Sequence, residues 1–314
     1  MAKIAAELIG AVTRRLEEGT PGRMAVRTLA RGDGWSVHDV VCTAGPPDRP
    51  YGERHTSMAI ALVAAGTFHY RSVGGTALMT PGALLLGNAG SAFECGHEHG
   101  FGDRCVAFHF RPDVFERLAA DAGVPASGRR FRGAHLPPLR AISGLSARAC
   151  AGLHANEGLD WSELAFELAA ETARLAGGTA PGGTLPPGAA ARVSPIARRI
   201  AHEPGGPLAL ADLASEAGLS PYHFLRTFQR VTGVTPHQYV LRMRLRQAAL
   251  RLAGGEARVL DVALDCGFGD LSNFNRAFRR EFGVRPGAYR PPSLNPRSIR
   301  VTSPRSAARR RTRA

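Results

Sequence analysis

VALDCGFGDLSNFNRAFRREFGVRPGAYR, residues 262–290, reads as two short helices joined by a tight turn. Val262 and Ala263 supply the buried face of the first helix, and Gly267 permits the turn because glycine tolerates positive φ. Asp270 is placed to cap the next helix. Phe274 and Phe278, at i and i+4, lie on one face of it, and Gly283 ends it. A second copy lies upstream. LADLASEAGLS, residues 210–220, is followed by Phe224, Arg226, Phe228, Gly233, Pro236 and Tyr239. These six match Phe274, Arg276, Phe278, Gly283, Pro286 and Tyr289 at an offset of 50, whereas before the turn the offset is 49. In this copy Leu210, Leu213 and Ala214 share a face, and small Ala214 lets another helix cross closely. Gly218 makes the turn, Ser220 caps with Pro221 behind it, and Thr235-Pro236 opens a further helix.

Two helices joined by a glycine-containing turn make a helix-turn-helix, whose second helix can enter a DNA major groove. One such pair is weak evidence, since short helix pairs occur in many proteins. Charge strengthens the case. The 314-residue chain has a formal net charge of +14. Residues 1–193 hold 19 Lys+Arg against 18 acids, and residues 194–314 hold 21 Arg against 8, so almost all the excess belongs to the repeat-bearing half. Such asymmetry calls for a polyanion, with nucleic acid first and an anionic membrane surface second. The terminal run Arg309-Arg310-Arg311-Thr312-Arg313 reads as a solvated tail.

Residues 193–292 resemble the AraC/XylS family of transcription regulators, most specifically over 262–290. The resemblance implies two helix-turn-helix units joined by a long helix, here about Pro236 to Leu252. Some eighteen residues give ~27 Å of helix, suited to holding two reading helices in successive major grooves ~34 Å apart. It also implies base contacts at Tyr222, Leu225 and Arg226 and at Leu271, Ser272 and Arg276. The exposed faces add Gln229, Asn275 and Arg279 as candidate DNA-binding residues, with His223 beside them. Arg226 and Arg276 suit a guanine edge and Asn275 an adenine edge; the competing role for each arginine is a phosphate contact or an internal ion pair. Arg242, Arg244 and Arg246 on the connecting helix are expected at phosphate or in solvent.

Gly177 to Pro187, rich in Gly and Pro, marks a linker, drawn at residues 177–192. Before it, short apolar runs at 58–63, 67–71, 83–86 and 106–110 are punctuated by Gly and Pro, the texture of a small β-barrel or sandwich. Two helices follow, around 139–150 and 161–175. In the second, Trp161, Leu164, Ala165, Leu168 and Leu175 form a stripe that must cover the barrel or another subunit. Residues 1–22 form an amphipathic helix through Ile4, Leu8, Ile9, Val12 and Leu16; they do not read as a secretory signal, and no run is long enough to span a bilayer. Five scattered cysteines argue for a reducing cytosol, hence a cytoplasmic protein.

The expected fold is therefore two-domain. Residues 23–176 form a mainly β, cupin-like barrel with appended helices, serving as sensor or dimerisation domain. Residues 193–292 form an all-α DNA-binding domain with its own apolar core, and 293–314 a disordered basic tail. One chemical cluster stands out in the first domain: Cys95, His97, His99 and, past Asp103, Cys105. If a hairpin pairs His99 with Cys105, then His97 faces Ala107, Cys95 faces His109, and all these side chains share one face. Thiolate and imidazole suit Zn or another first-row metal, and His97-x-His99 followed by Asp103 resembles part of the cupin motif. The competing reading is pocket lining without metal.

The function expected is a sequence-specific activator or repressor responding to a small effector or metal, not an enzyme. Its partners are double-stranded DNA, RNA polymerase and a second copy of the chain, with no membrane. A cupin-type metalloenzyme fused to a DNA-binding module is the alternative, and a non-specific architectural protein a third reading.

Overall fold

In the computed structural model, which describes residues 2–154, 159–177, 185–255 and 258–289, the chain opens with α1 (Ala2–Glu17). The strands follow: β1 (Met24–Gly32), β2 (Trp35–Cys42), β3 (Tyr51–Arg54), β4 (Met58–Gly66), β5 (Phe68–Ser72), β6 (Gly75–Met79), β7 (Leu84–Gly87), β8 (Ala92–Gly96) and β9 (Asp103–Phe110). Then come α2 (Pro112–Asp121), β10 (His135–Leu136), α3 (Ser143–Gly152) and α4 (Trp161–Ala176). The helical half comprises α5 (Ala189–His202), α6 (Leu210–Glu216), α7 (Pro221–Thr232), α8 (Pro236–Ala253), α9 (Val259–Asp265) and α10 (Leu271–Phe282). The tail expected at 293–314 and most of the expected linker lie outside the described residues.

The strands form two antiparallel sheets, one ordered β1-β2-β9-β4-β7-β10 and the other β3-β8-β5-β6. All four strands expected from apolar runs are present, as β4, β5, β7 and β9. The runs of β4, β7 and β9 are nearly continuous because the larger sheet, to which they belong, is covered on both faces. Ile60, Leu62, Val106 and Phe108 join a core with Ile4 and Leu8 of α1 and Leu164 and Leu168 of α4. Val63, Leu85 and Cys105 join Phe68, Tyr70 and Met79 of the smaller sheet. The stripe on α4 therefore covers the sheet, with the Trp161 ring tilted against Phe108 at a centroid separation of 6.4 Å. Ile9 and Leu16 of α1 stay half exposed while Ile4, Leu8 and Val12 are buried.

The structure departs from expectation in its boundaries and in its core: α1 ends at Glu17, short of the expected 22. α5 starts at Ala189, inside the stretch read as linker to 192, because Ala189-Ala-Ala-Arg192 are strong helix formers directly after Gly188. The core of the helical half is also not its own. Phe224, Phe228, Tyr239 and Met243 belong to the same cluster as Ile60 and Phe108, and α5 is the bridge, through Val193, Ile196, Ala197 and Ile200. Polar contacts reinforce it. Ser194 Oγ meets Thr67 Oγ1 at 2.7 Å in a buried contact, and Arg198 donates to the Phe101 carbonyl at 2.6 Å. The second repeat has a separate cluster, around Leu245, Val262, Phe274 and Phe278, to which α3 contributes Ala147.

Arg104 on β9 fixes α1 to the sheet. Its guanidinium donates to both Asp39 carboxylate oxygens, at 2.8 and 2.9 Å, and to Glu7 at 2.6 Å. Arg104 and Asp39 are both buried. Arg104→Ala leaves the Asp39 carboxylate, among the described residues, with the exposed Arg27 as its one ion partner, so a loss of about 3–5 kcal/mol is expected in urea unfolding. Arg27→Ala should cost less than about 1 kcal/mol. Equal losses would contradict the assignment.

His109, also on β9, is held down to about 4 from its ordinary 6.5, by burial first and then by the charges of His38 and His55. As pH falls the unfolded chain takes up this proton first. Stability complete above about 6.5 therefore drains away between there and about 4. His55 and His135, lowered by burial, act in the same direction. The urea midpoint is expected to drop across this window, and less steeply in His109→Gln; a flat profile would contradict the assignment.

Candidate nucleic-acid interface

The repeat seen in the sequence is a repeat of hydrogen bonds. In the first unit the turn is closed by Gly218 N–H to the Ser215 carbonyl and Leu219 N–H to that of Ala214; in the second, by Gly267 to Leu264 and Phe268 to Ala263. Gly218 and Gly267 have φ of +63° and +83°, which only glycine adopts without strain. Gly269 is the extra residue that shifts the offset from 49 to 50. Ser220 accepts from His223 N–H and Asp270 from Asn273 N–H, as capping requires. α7 and α10 then run to Gly233 and Gly283, each left-handed with φ +76°. Thr235 and Gln238 form a reciprocal capping box that starts α8.

α7 buries Phe224 and Phe228, and α10 buries Phe274 and Phe278. Tyr222, His223, Arg226 and Gln229 are exposed on α7, with Leu225 half-buried. Leu271, Ser272, Asn275, Arg276 and Arg279 are exposed on α10. All nine candidate DNA-binding residues thus lie on the two second helices. The equivalent arginines differ in their surroundings. Arg226 donates to the Tyr222 hydroxyl at 3.0 Å and lies 5.7 Å from that ring's centre, so it is held across one turn. Arg276 makes no hydrogen bond or ion pair among the described residues.

The arginines of α8 correct the expectation of phosphate or solvent. Arg246 is buried, against Gly82 of the first half. Arg242 pairs with Glu281 at 3.6 Å, and Glu281 also accepts from Ser143. Arg244 donates to three carbonyls: Pro204 at 2.7 Å, Gly267 at 2.8 Å and Gly206 at 3.2 Å. It therefore ties the entry to the first unit to the turn of the second. Backbone carbonyls leave no residue-type signal, so the sequence could not reveal this role.

The cysteine–histidine cluster is also arranged differently. The expected hairpin does not form, because β9 is bonded along both edges, by β2 and by β4. β8 pairs instead with β3 and β5 in the other sheet. Cys95 therefore faces Tyr51 and Tyr70, and Cys105 faces Val40 and Val63. His97 does not face Ala107; its Nε2 lies 2.8 Å from Asp103 Oδ1. Cys105 donates to Asp103 Oδ2 at 3.2 Å. Among the described residues, donor atoms converge within 4.8 Å in two groups, Cys42–His97–Asp103 and His69–Glu98–His99. The four residues singled out from sequence are thus split. Cys42 and His69, missed from sequence, enter through long-range pairing. Burial, and secondly the Asp103 charge, push the Cys42 thiol up to about 12. The same two causes raise Cys105 well above an ordinary thiol.

A family model described as a helix-turn-helix domain matches residues 213–291. The chain is similar to the regulatory protein SoxS of Salmonella typhimurium, 37% identical over 84 residues, 27% of this chain and 78% of SoxS. It is similar to the probable transcriptional regulator LumQ of Photobacterium leiognathi, 42% identical over 82 residues, 26% of this chain and 33% of LumQ. It is similar to the HTH-type transcriptional regulator MtrA of Neisseria gonorrhoeae, 31% identical over 99 residues, 32% of this chain and 33% of MtrA. The chain thus spans about a third of the length of LumQ and of MtrA. Among solved structures it is similar to the DNA-binding domain of AdpA in complex with a target DNA: 28% identity, 31% of this chain and 88% of that one, TM-score 0.30.

Because Arg244 serves three carbonyls in different directions, Arg244→Ala is expected to lower stability by about 2–3 kcal/mol in urea unfolding. Arg244→Lys should not restore it, since one ammonium lacks the guanidinium's fork of donors. Full rescue by lysine would reduce Arg244 to a point charge.

Proposed function

The chain belongs to the AraC/XylS family of transcription regulators, and from that premise we propose that it binds double-stranded DNA sequence-specifically and regulates transcription from there. α7 and α10 are the reading helices. The observation that carries this is the doubled unit itself. Two turns with the same hydrogen bonds, spaced by the 18-residue α8 and tied by Arg244, present Arg226 and Arg276 at equivalent exposed positions. Base readout falls to Tyr222, Leu225, Arg226 and Gln229 on one helix and to Leu271, Ser272, Asn275, Arg276 and Arg279 on the other. Tyr222 preorients Arg226, whereas Arg276 is free to order on a guanine edge.

The first half acts as the sensor, taking a small effector or a metal ion. The continuous core and the Ser194 and Arg198 contacts give it a mechanical path to the reading helices. RNA polymerase and a second copy of the chain are its further partners. A cytoplasmic location fits a DNA partner and five unpaired cysteines. Among the described residues no helix is long and apolar enough to cross a membrane.

Selection of bound sites from random DNA by the full chain tests the reading, with enrichment of a two-part site expected. A flat preference would favour a non-specific architectural protein. On the selected site Arg276→Ala should weaken binding by roughly 1–3 kcal/mol, and Arg300→Ala should change little. Equal losses for Arg276→Ala on selected and random DNA would assign it to phosphate instead.

A further inference from the structure

The segment from His97 to Asp103 leaves one sheet, enters the other and touches the helical half on the way. His97 follows the last residue of β8, and Asp103 is the first of β9. Asp103 is the cross-strand partner of Cys42, the last residue of β2. Cys105, two residues on, shares the face of Asp103. An imidazole, a carboxylate and the Cys42 thiol thus meet between the sheets, with the Cys105 thiol beside the carboxylate, and His97, Asp103 and Cys105 are all buried.

We propose that Cys42, His97 and Asp103, with Cys105 as fourth donor, form a binding site for a thiophilic first-row divalent cation of the Zn2+ class, and that its loading sets how the 97–103 segment holds α5. This rests on the reading of the first half as a sensor and gives that sensor its ligand. The donor set is one S, N and O combination that tetrahedral zinc accepts, and tetrahedral ligands stand about 3–4 Å apart. Cys42, His97 and Asp103 already lie within 4.8 Å of one another, and Cys105 lies 3.2 Å from Asp103. Closing the shell needs the Cys105 thiol to turn from the Asp103 carboxylate toward the other three donors.

Charge balances as well. On binding, the Cys42 and Cys105 protons pass to solvent. Two thiolates and the carboxylate offset the dication and leave the single negative charge that Asp103 carries alone. Arg198 on α5, which feels the Asp103 charge, therefore keeps an anionic neighbour in both states. The second group is a poorer cation site, because Arg71 already donates to Glu98 at 2.9 Å.

The coupling follows from the same segment. Its backbone carbonyls at His99 and Phe101 accept from Ser194 and Arg198, and α5 packs against α7 and α8. A cation that clamps His97 to Asp103 acts on both carbonyls lying between them.

The test uses untagged full-length protein, stripped with a chelator under reductant and titrated with Co2+. A near-ultraviolet thiolate-to-cobalt charge-transfer band, displaced by Zn2+, is expected. It should be lost in Cys42→Ser, at a half-buried strand end, and in His97→Ala, and kept in His69→Ala. Absence of the band, or its loss in His69→Ala but not in Cys42→Ser, overturns the site. These readouts need no DNA, so failure of the site and failure of the DNA-binding reading are told apart. On the selected DNA, Zn2+ should shift affinity about fivefold or more, within the usual range of allosteric coupling, and Arg198→Met should abolish that shift while keeping the cobalt band. An unchanged affinity in the presence of bound metal overturns the coupling.

Discussion

Everything in the first half follows from β9 having no free edge and no free face. Bonded by β2 on one side and β4 on the other, it cannot take β8 as a hairpin partner. Covered by helices on one face and the smaller sheet on the other, it reads as a run of buried residues, not an alternation. The chain between β8 and β9 must therefore cross from sheet to sheet. That crossing puts His97 against Asp103 and carries the carbonyls of His99 and Phe101 to the surface where α5 docks.

The helical half obeys a second constraint, the fixed relation between its two units. A single helix sets their spacing, and a helix alone leaves rotation about its ends open. Arg244 removes that freedom by bonding carbonyls from both sides of α8. Glu281, held by Arg242 and Ser143, anchors α10 to α8 and α3 together. The arginines of this region thus divide by physics. Those on α8 are consumed in building the scaffold, and those on α7 and α10 face outward, where charge can meet a polyanion.

Much of this was legible in the chain. The turns, caps and phenylalanine faces of the two units are local: each depends on residues within one helical turn, so Gly218, Ser220, Gly267 and Asp270 announce their roles by type and spacing. The exposed residues of α7 and α10 follow from helical periodicity once the buried phenylalanines are known. The strands with unbroken apolar runs were equally visible. β1, whose residues are mostly exposed, and β3, exposed throughout, were not, since they bury little and leave no pattern.

By itself the sequence determined the doubled helix-turn-helix, its capping, its charge and the helix that spaces it, because all of these are set by contacts close along the chain or by composition. Only the tertiary structure decided which strand each cysteine and histidine faces, that Cys42 stands beside His97 and Asp103, that the α8 arginines turn inward, and that one core runs through both halves. The reason is common to all four. Strand order and helix docking are chosen by which buried faces and open edges remain to be satisfied across the whole molecule, and a one-dimensional pattern of residue types does not record which edge is already taken.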